Sequence, residues 1–264
     1  MIQTIKIYIM KRILLIAVLL IASFNVLKAQ DIHFGVAAGV NFTDLTDLSP
    51  TPSGFSTPTT NMITGFHVGG VVNCPIYDKF SIDASLLFYT CGGKINYSIP
   101  ASSMTSGFYT ISTTAYSYST TVNLSYLKIP LMAKYKFDNG FSVFAGPYLG
   151  ILLAAKRNVD AYSFTTTSTN NLAVPPTPST SSITSDVPSR SINIDTASVM
   201  YFYDGGIAFG IGYQLPMGLG LSVKYSIGFT SVFQNDPSRF DPDWGNNRAF
   251  EISLSYMFGM KKAE

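Results

Sequence analysis

Few side chains in this sequence can do chemistry. Of 264 residues only 12% are charged and two are histidine, against 47% hydrophobic. Eight ionisable residues stand at alternate positions inside otherwise apolar segments: His33, His67, Asp83, Lys128, Lys134, Asp204, Lys224 and Glu251. Turned toward a common interior, they would form either a gate or substrate-binding network, or a neutralised core. The neutralised core is the simpler expectation, because an unpaired buried charge is costly. Catalysis would need a nucleophile, a base and an orienting group converging. His33 and His67 lie on adjacent segments several residues out of level, with no obvious Ser or Asp partner near a loop end. No enzyme activity is therefore expected, and no catalytic residue is assigned. Cys74 and Cys91 lack metal-ligand spacing. The stretch from Asp236 to Gly245 has three aspartates that could hold calcium, but it lacks the glycine and glutamate order of an EF-hand, and Asp-Pro is ordinary turn chemistry. Trp244, the single tryptophan, is a candidate for surface contact with a partner or for an interfacial anchor. No phosphate-binding loop opens a helix. Neither a cofactor nor a metal is assigned.

The elements that would position these residues are strands. In Val122–Leu153, Leu127, Ile129, Leu131, Ala133, Tyr135 and Phe137 form one row, with Tyr126, Lys128, Met132, Lys134 and Lys136 between them. After Asp138-Asn139-Gly140 the alternation resumes at Phe141, Val143 and Ala145, and later at Leu149, Ile151 and Leu153. Period-two alternation over this length marks a strand with one apolar face. Both apolar rows must share a side, so Phe137 should oppose Phe141 across a three-residue loop ending in Gly140, where glycine supplies a left-handed residue cheaply. Pro130 and Pro147 fall inside these strands and remove ladder donors. The register makes them neighbours across the pair and predicts a bulge or a thin point in the wall.

Six further strands repeat the pattern. They begin at Ile32, Phe66, Phe80, Val199, Leu219 and Phe250. The connections between the eight strands alternate long and short. The long ones are 43–61, 92–120, 155–198 and 234–247. That rhythm belongs to a transmembrane barrel with short periplasmic turns and long external loops. On every strand one face is Phe, Leu, Ile, Val and Tyr, and the other is Gly, Ser, Thr and Asn with scattered charge. Eight strands enclose too narrow an interior for the bulky row, so that row must face lipid. The fold class is all-β, an eight-stranded antiparallel up-and-down transmembrane β-barrel. Closure leaves no sheet edge unpaired in hydrocarbon. The loop 155–198 is rich in Ser, Thr and Pro and reads as adaptable. Within it Asp195-Thr196-Ala197 resembles a bacterial O-glycosylation acceptor.

The first 29 residues read as a secretory signal peptide. Lys11 and Arg12 precede the apolar run 13–24, and Ala29 offers a small residue before Gln30. Met10-Lys11-Arg12 alone also makes a normal start. Residues 30–264 form the barrel domain. Four of the 17 basic residues (Lys6, Lys11, Arg12 and Lys28) lie in the leader, which leaves 13 against 15 acidic residues, net −2. A nucleic-acid partner thus has no electrostatic footprint. Cys74 sits at a short turn and Cys91 at the far end of the next strand. Seventeen steps of ~3.3 Å separate them, so both are expected to be free.

The segments Tyr126-Leu127-Lys128-Ile129-Pro130-Leu131-Met132-Ala133-Lys134-Tyr135 and Gly146-Pro147-Tyr148-Leu149-Gly150 resemble the PorT-like outer-membrane β-barrel family of Bacteroidetes. Asp204-Gly205-Gly206, Phe209-Gly210-Ile211-Gly212 and the closing run from Arg248 to Phe258 fit the same pattern. The resemblance covers nearly the whole mature chain and implies the cell outer membrane. It departs at the end, where Gly259–Glu264 follow Phe258. Three roles stay open. The first is a scaffold presenting surface loops to an envelope or surface protein or a ligand. The second is a narrow, porin-like channel or transporter for small solutes. The third, implied by the resemblance alone, is a component of a secretion or assembly machine. Membrane lipid is the expected neighbour, and a monomer is expected.

Overall fold

The computed structural model describes residues 32–46, 59–99, 102–106, 109–170, 177–181, 194–195, 200–232 and 245–259. The leader, the aspartate-rich stretch 236–244 with Trp244, and most of 171–199 lie outside them. Eight strands form the wall: β1 (His33–Thr46), β2 (Ile63–Tyr77), β3 (Phe80–Ile99), β4 (Tyr109–Lys136), β5 (Phe141–Asn170), β6 (Tyr203–Gln214), β7 (Leu219–Ser231) and β8 (Asn246–Met257). Each pairs antiparallel with the next. β8 closes on β1 through an unbroken ladder from Gly35↔Met257 to Thr46↔Asn246. The result is the eight-stranded up-and-down barrel that the alternation predicts.

The β4–β5 turn is the expected one. Phe137 N donates to Phe141 O at 2.8 Å and Gly140 N to Phe137 O at 3.1 Å, with Gly140 at φ +84°. Pro216-Met217-Gly218 repeats it: Leu215 N donates to Leu219 O at 2.8 Å, and Gly218 has φ +91°. Both turns lie at the same end as the start of β1 and the end of β8, the periplasmic end of such a barrel.

Each strand turns an apolar residue outward. Phe34, Val68, Leu86, Leu131, Val143, Ile211, Leu221 and Leu254 are all between 40% and 60% exposed. The polar row faces inward, as required for a barrel in lipid.

Three expectations need correction. The strands continue well beyond the membrane: β3 pairs with β4 up to Ile99↔Tyr116, and β4 with β5 up to Tyr109↔Asn170. Much of 92–120 and the start of 155–198 are therefore wall rather than loop. Their Thr and Tyr content favours strand, but outside the bilayer the apolar-out alternation that reveals a strand is no longer imposed. Short pieces at Ser102–Ser106 and Thr177–Ser181 add to this extension. Asn246 and Asn247 likewise belong to β8. Of the two expectations at the prolines, the thin point is present and the bulge is not, because Pro130↔Tyr148 and Ala133↔Ala145 keep one register. What they do is interrupt pairing. The β4–β5 ladder skips Leu131 and Met132 opposite Pro147, and the β3–β4 ladder skips Ser85 and Leu86 opposite Pro130. Each proline lacks the one donor the ladder needs there. The true register shifts on β4 lie higher, the first at Ser125/Tyr126. Cys74 and Cys91 are free.

Candidate functional site: the lumen

Parity places the ionisable residues inside, and strand pairing decides which of them meet. Lys224 and Glu251 are direct partners across β7–β8. Lys128 approaches from β4 on the far side of the lumen. Glu251, only 1% exposed, binds Lys128 Nζ at 2.7 Å through Oε1 and Lys224 Nζ at 2.9 Å through Oε2. Its Oε1 also accepts from Tyr89 Oη at 3.1 Å and Ser226 Oγ at 3.0 Å. The Lys128 ammonium lies 4.1 Å from the Tyr89 ring centroid and 4.4 Å from that of Tyr148. One carboxylate thus holds two ammonium groups, and two aromatic faces share the surplus positive charge.

The other expected members make no ion pair with this cluster. Lys134 and Asp83 pair at 3.2 Å nearer the periplasm, and Asn73 also bonds Asp83. Asp204 is satisfied by neutral groups: Thr230 Oγ1 at 2.8 Å, Asn247 Nδ2 at 3.0 Å and Tyr148 Oη at 3.3 Å. Gly206 makes room for Tyr148, since a Cβ there would lie 2.7 Å from its hydroxyl. Asp83 and Lys134 thus form a site of their own, while Tyr148 joins Asp204 to the Lys128–Glu251–Lys224 cluster, its hydroxyl bonding the carboxylate and its ring facing the Lys128 ammonium.

His33 and His67 do lie six residues out of level, opposite Asn73 and Gly39 respectively. His67 nevertheless has partners that the sequence did not reveal. Asn41 Nδ2 donates to Thr90 O at 3.1 Å, which turns Asn41 Oδ1 toward His67 Nδ1 at 2.6 Å. That bond places the ring proton on Nδ1, so Nε2 accepts from Ser253 Oγ at 2.7 Å. The order Ser–His–Asn is that of an acyl-transfer relay. It borders a cavity of only about 90 Å³, running from His67, Ser253 and Lys224 toward Lys134 and Gln214 at the periplasmic end. This is well below the ~300 Å³ at which ligand clefts begin, and it leaves no room for an acyl group with its leaving group. The relay is a buried polar network that joins β1, β2 and β8. No group of three His, Cys, Asp or Glu that could hold a metal gathers among the described residues.

Above the ion cluster the lumen is apolar. Leu45, Ile95, Val122, Leu124, Tyr126, Met200 and Val232 point inward and form one core, each at most 2% exposed. Between this core and the lysine–glutamate cluster remains a cavity of about 10 Å³ beside Lys128, Asp204, Ser226 and Asn247, enough for about one water.

A closed antiparallel wall, apolar toward lipid and charged within, defines an outer-membrane β-barrel protein. Residues 28–234 match the model of the outer membrane protein beta-barrel domain, and the chain belongs to that family. The finer PorT-like resemblance is narrower than this assignment. Among solved structures, the chain is similar to Neisserial surface protein A, at 12% identity and TM-score 0.37, covering 85% of this chain and 97% of that one. It is also similar to Ail, the attachment invasion locus protein of Yersinia pestis, solved with the heparin analogue sucrose octasulfate. There the identity is 6% and the TM-score 0.35, covering 86% and 99% of the two chains. A TodX mutant, a monoaromatic hydrocarbon channel, gives 6% identity and TM-score 0.22, covering 86% and 90%. No curated protein matches.

Proposed function

We propose that this protein is a sealed outer-membrane scaffold that presents its cell-surface extension to an envelope or surface partner, and that it has no enzymatic role. The observation that supports this is the doubly closed lumen. The Lys128–Glu251–Lys224 cluster crosses it, and the apolar core from Leu45 to Val232 fills it above. Material built into β4 and β5, of 28 and 30 residues, far exceeds the ~10 residues a strand needs to span. The excess is paired β-structure on the outer side, which suits a rigid display surface.

The test is single-channel conductance of the folded protein in a planar bilayer. A silent wild type, together with openings in Glu251→Ala combined with Leu124→Ala, is the expected pair of results. Steady openings in the wild type would favour the channel reading instead, with Lys128 and Lys224 as its selectivity residues.

A further inference from the structure

The lipid-facing surface carries a notch across three neighbouring strands. Across β1, β2 and β3, Val36, Gly70 and Leu86 form one outward row of direct partners, and Phe34, Val72 and Ala84 form the next row toward the periplasm. Gly70 and Ala84 are small among large neighbours. They leave an apolar notch of about 310 Å³ bounded by Phe34, Val72 and Leu86. Packing does not require the glycine. A Cβ on Gly70 would meet nothing nearer than Gly35 O at 4.0 Å, whereas at the adjacent Gly69 it would lie 2.0 Å from Leu86 O. A glycine inside a strand gives up backbone entropy and side-chain packing, and often marks close approach by something else. Here that approach can come only from the bilayer side. The wall behind the notch is also weakened: Val71 and Ser85 border both the notch and the lumenal cavity, and Pro130 withholds its donor opposite Ser85.

We propose that this notch holds one acyl chain of a phospholipid from the periplasmic leaflet. It is continuous with the lipid-facing belt, so hydrocarbon is what meets it. It lies beside Phe34, one residue from the start of β1, which fixes the leaflet. Its size reaches the lower end of small-ligand clefts, and its side chains recognise methylene and methyl groups rather than a headgroup.

The test uses the full chain, incubated with dioleoylphosphatidylethanolamine in detergent and examined by native mass spectrometry. Folding is checked by the heat-dependent gel shift of an intact barrel. The wild type should retain one lipid. Gly70→Leu should weaken retention about tenfold, the equivalent of two buried methylenes. Ala84→Phe, filling the notch from the other bank, should do the same, while Val143→Leu on the far wall should retain lipid normally. The proposal is overturned if both filling variants hold lipid as the wild type does or if the wild type holds none. It is also overturned by a wild-type dimer that Gly70→Leu dissociates, which would make a second copy the occupant.

Discussion

The same strands obey opposite rules at two heights. On β4, Ile129 and Leu131 point outward and are 38% and 49% exposed, with Lys128 turned in. A few residues higher, Val122 and Leu124 point inward at 1% exposure, and Asn123 is the outward residue. β1 changes in the same way, from outward Phe42 to inward Leu45. On both β1 and β4 the two regions belong to one continuous strand. The difference lies in what surrounds the wall: hydrocarbon around the belt, water around the extension. In the belt the lumen is the polar side and must neutralise its own charges. In the extension the lumen is an ordinary hydrophobic core.

This contrast can be broken from either region. The largest effect is expected in the belt, at Glu251. Glu251→Ala leaves Lys128 and Lys224 facing each other inside and should cost about 3–5 kcal/mol. Denaturant unfolding from lipid vesicles measures it, and a loss below ~1 kcal/mol would mean that lumenal water already neutralises the lysines. The upper core comes next. Leu124→Ala should cost about 2–5 kcal/mol as a cavity mutation and make the extension protease-sensitive while the belt stays folded. Equal protection in variant and wild type would show that the extension does not depend on this core. Paired arginine substitutions sharpen the comparison further. Leu131→Arg, near the middle of the belt, should cost about 2–4 kcal/mol, but Asn123→Arg within ~0.5 kcal/mol of zero. Comparable losses would place the membrane boundary higher than the polarity inversion does.

The smallest effect belongs to the periplasmic rim, where Lys79 and Asp138 pair at 2.6 Å in solvent. The hydrogen bond that Lys79 donates to the Asp138 carboxylate raises the pKa of the ammonium above its ordinary 10.5. Its contribution is therefore complete below that value and fades as pH rises through the elevated one. Asp138→Asn should leave stability unchanged near neutral pH within error, with any difference confined to the alkaline limb of a pH titration.

This inversion also explains what could be read from the sequence. Within the belt, alternation and turn chemistry give the strands, their facing and the Phe137–Phe141 register directly. Beyond it, Ser and Thr stand at odd and even positions alike in 109–121 and 160–170, so periodicity carries no signal and the strands pass for loop. The Lys224–Glu251 contact is legible in principle, because both residues are inward on consecutive strands. Lys128 is not, since its approach across the lumen depends on barrel closure. Asn41 and Ser253 were visible only as small polar residues. It takes the ladders β2–β1–β8 to bring them to His67.

The seam between β1 and β8 has a kinetic consequence. Its partners, such as Gly39 and Ser253, lie more than two hundred residues apart, so the ladder that abolishes the last free edge must form late and slowly. Glu251 is carried on that closing strand. Lys224 meets it as soon as β8 pairs with β7, but Lys128, on the opposite wall, has no partner in Glu251 until the ring closes. The last of these pairings is therefore made in the same event that makes the ring topologically complete, and an assembly arrested one strand short, without β8, would be open-edged and would leave both lysines without Glu251.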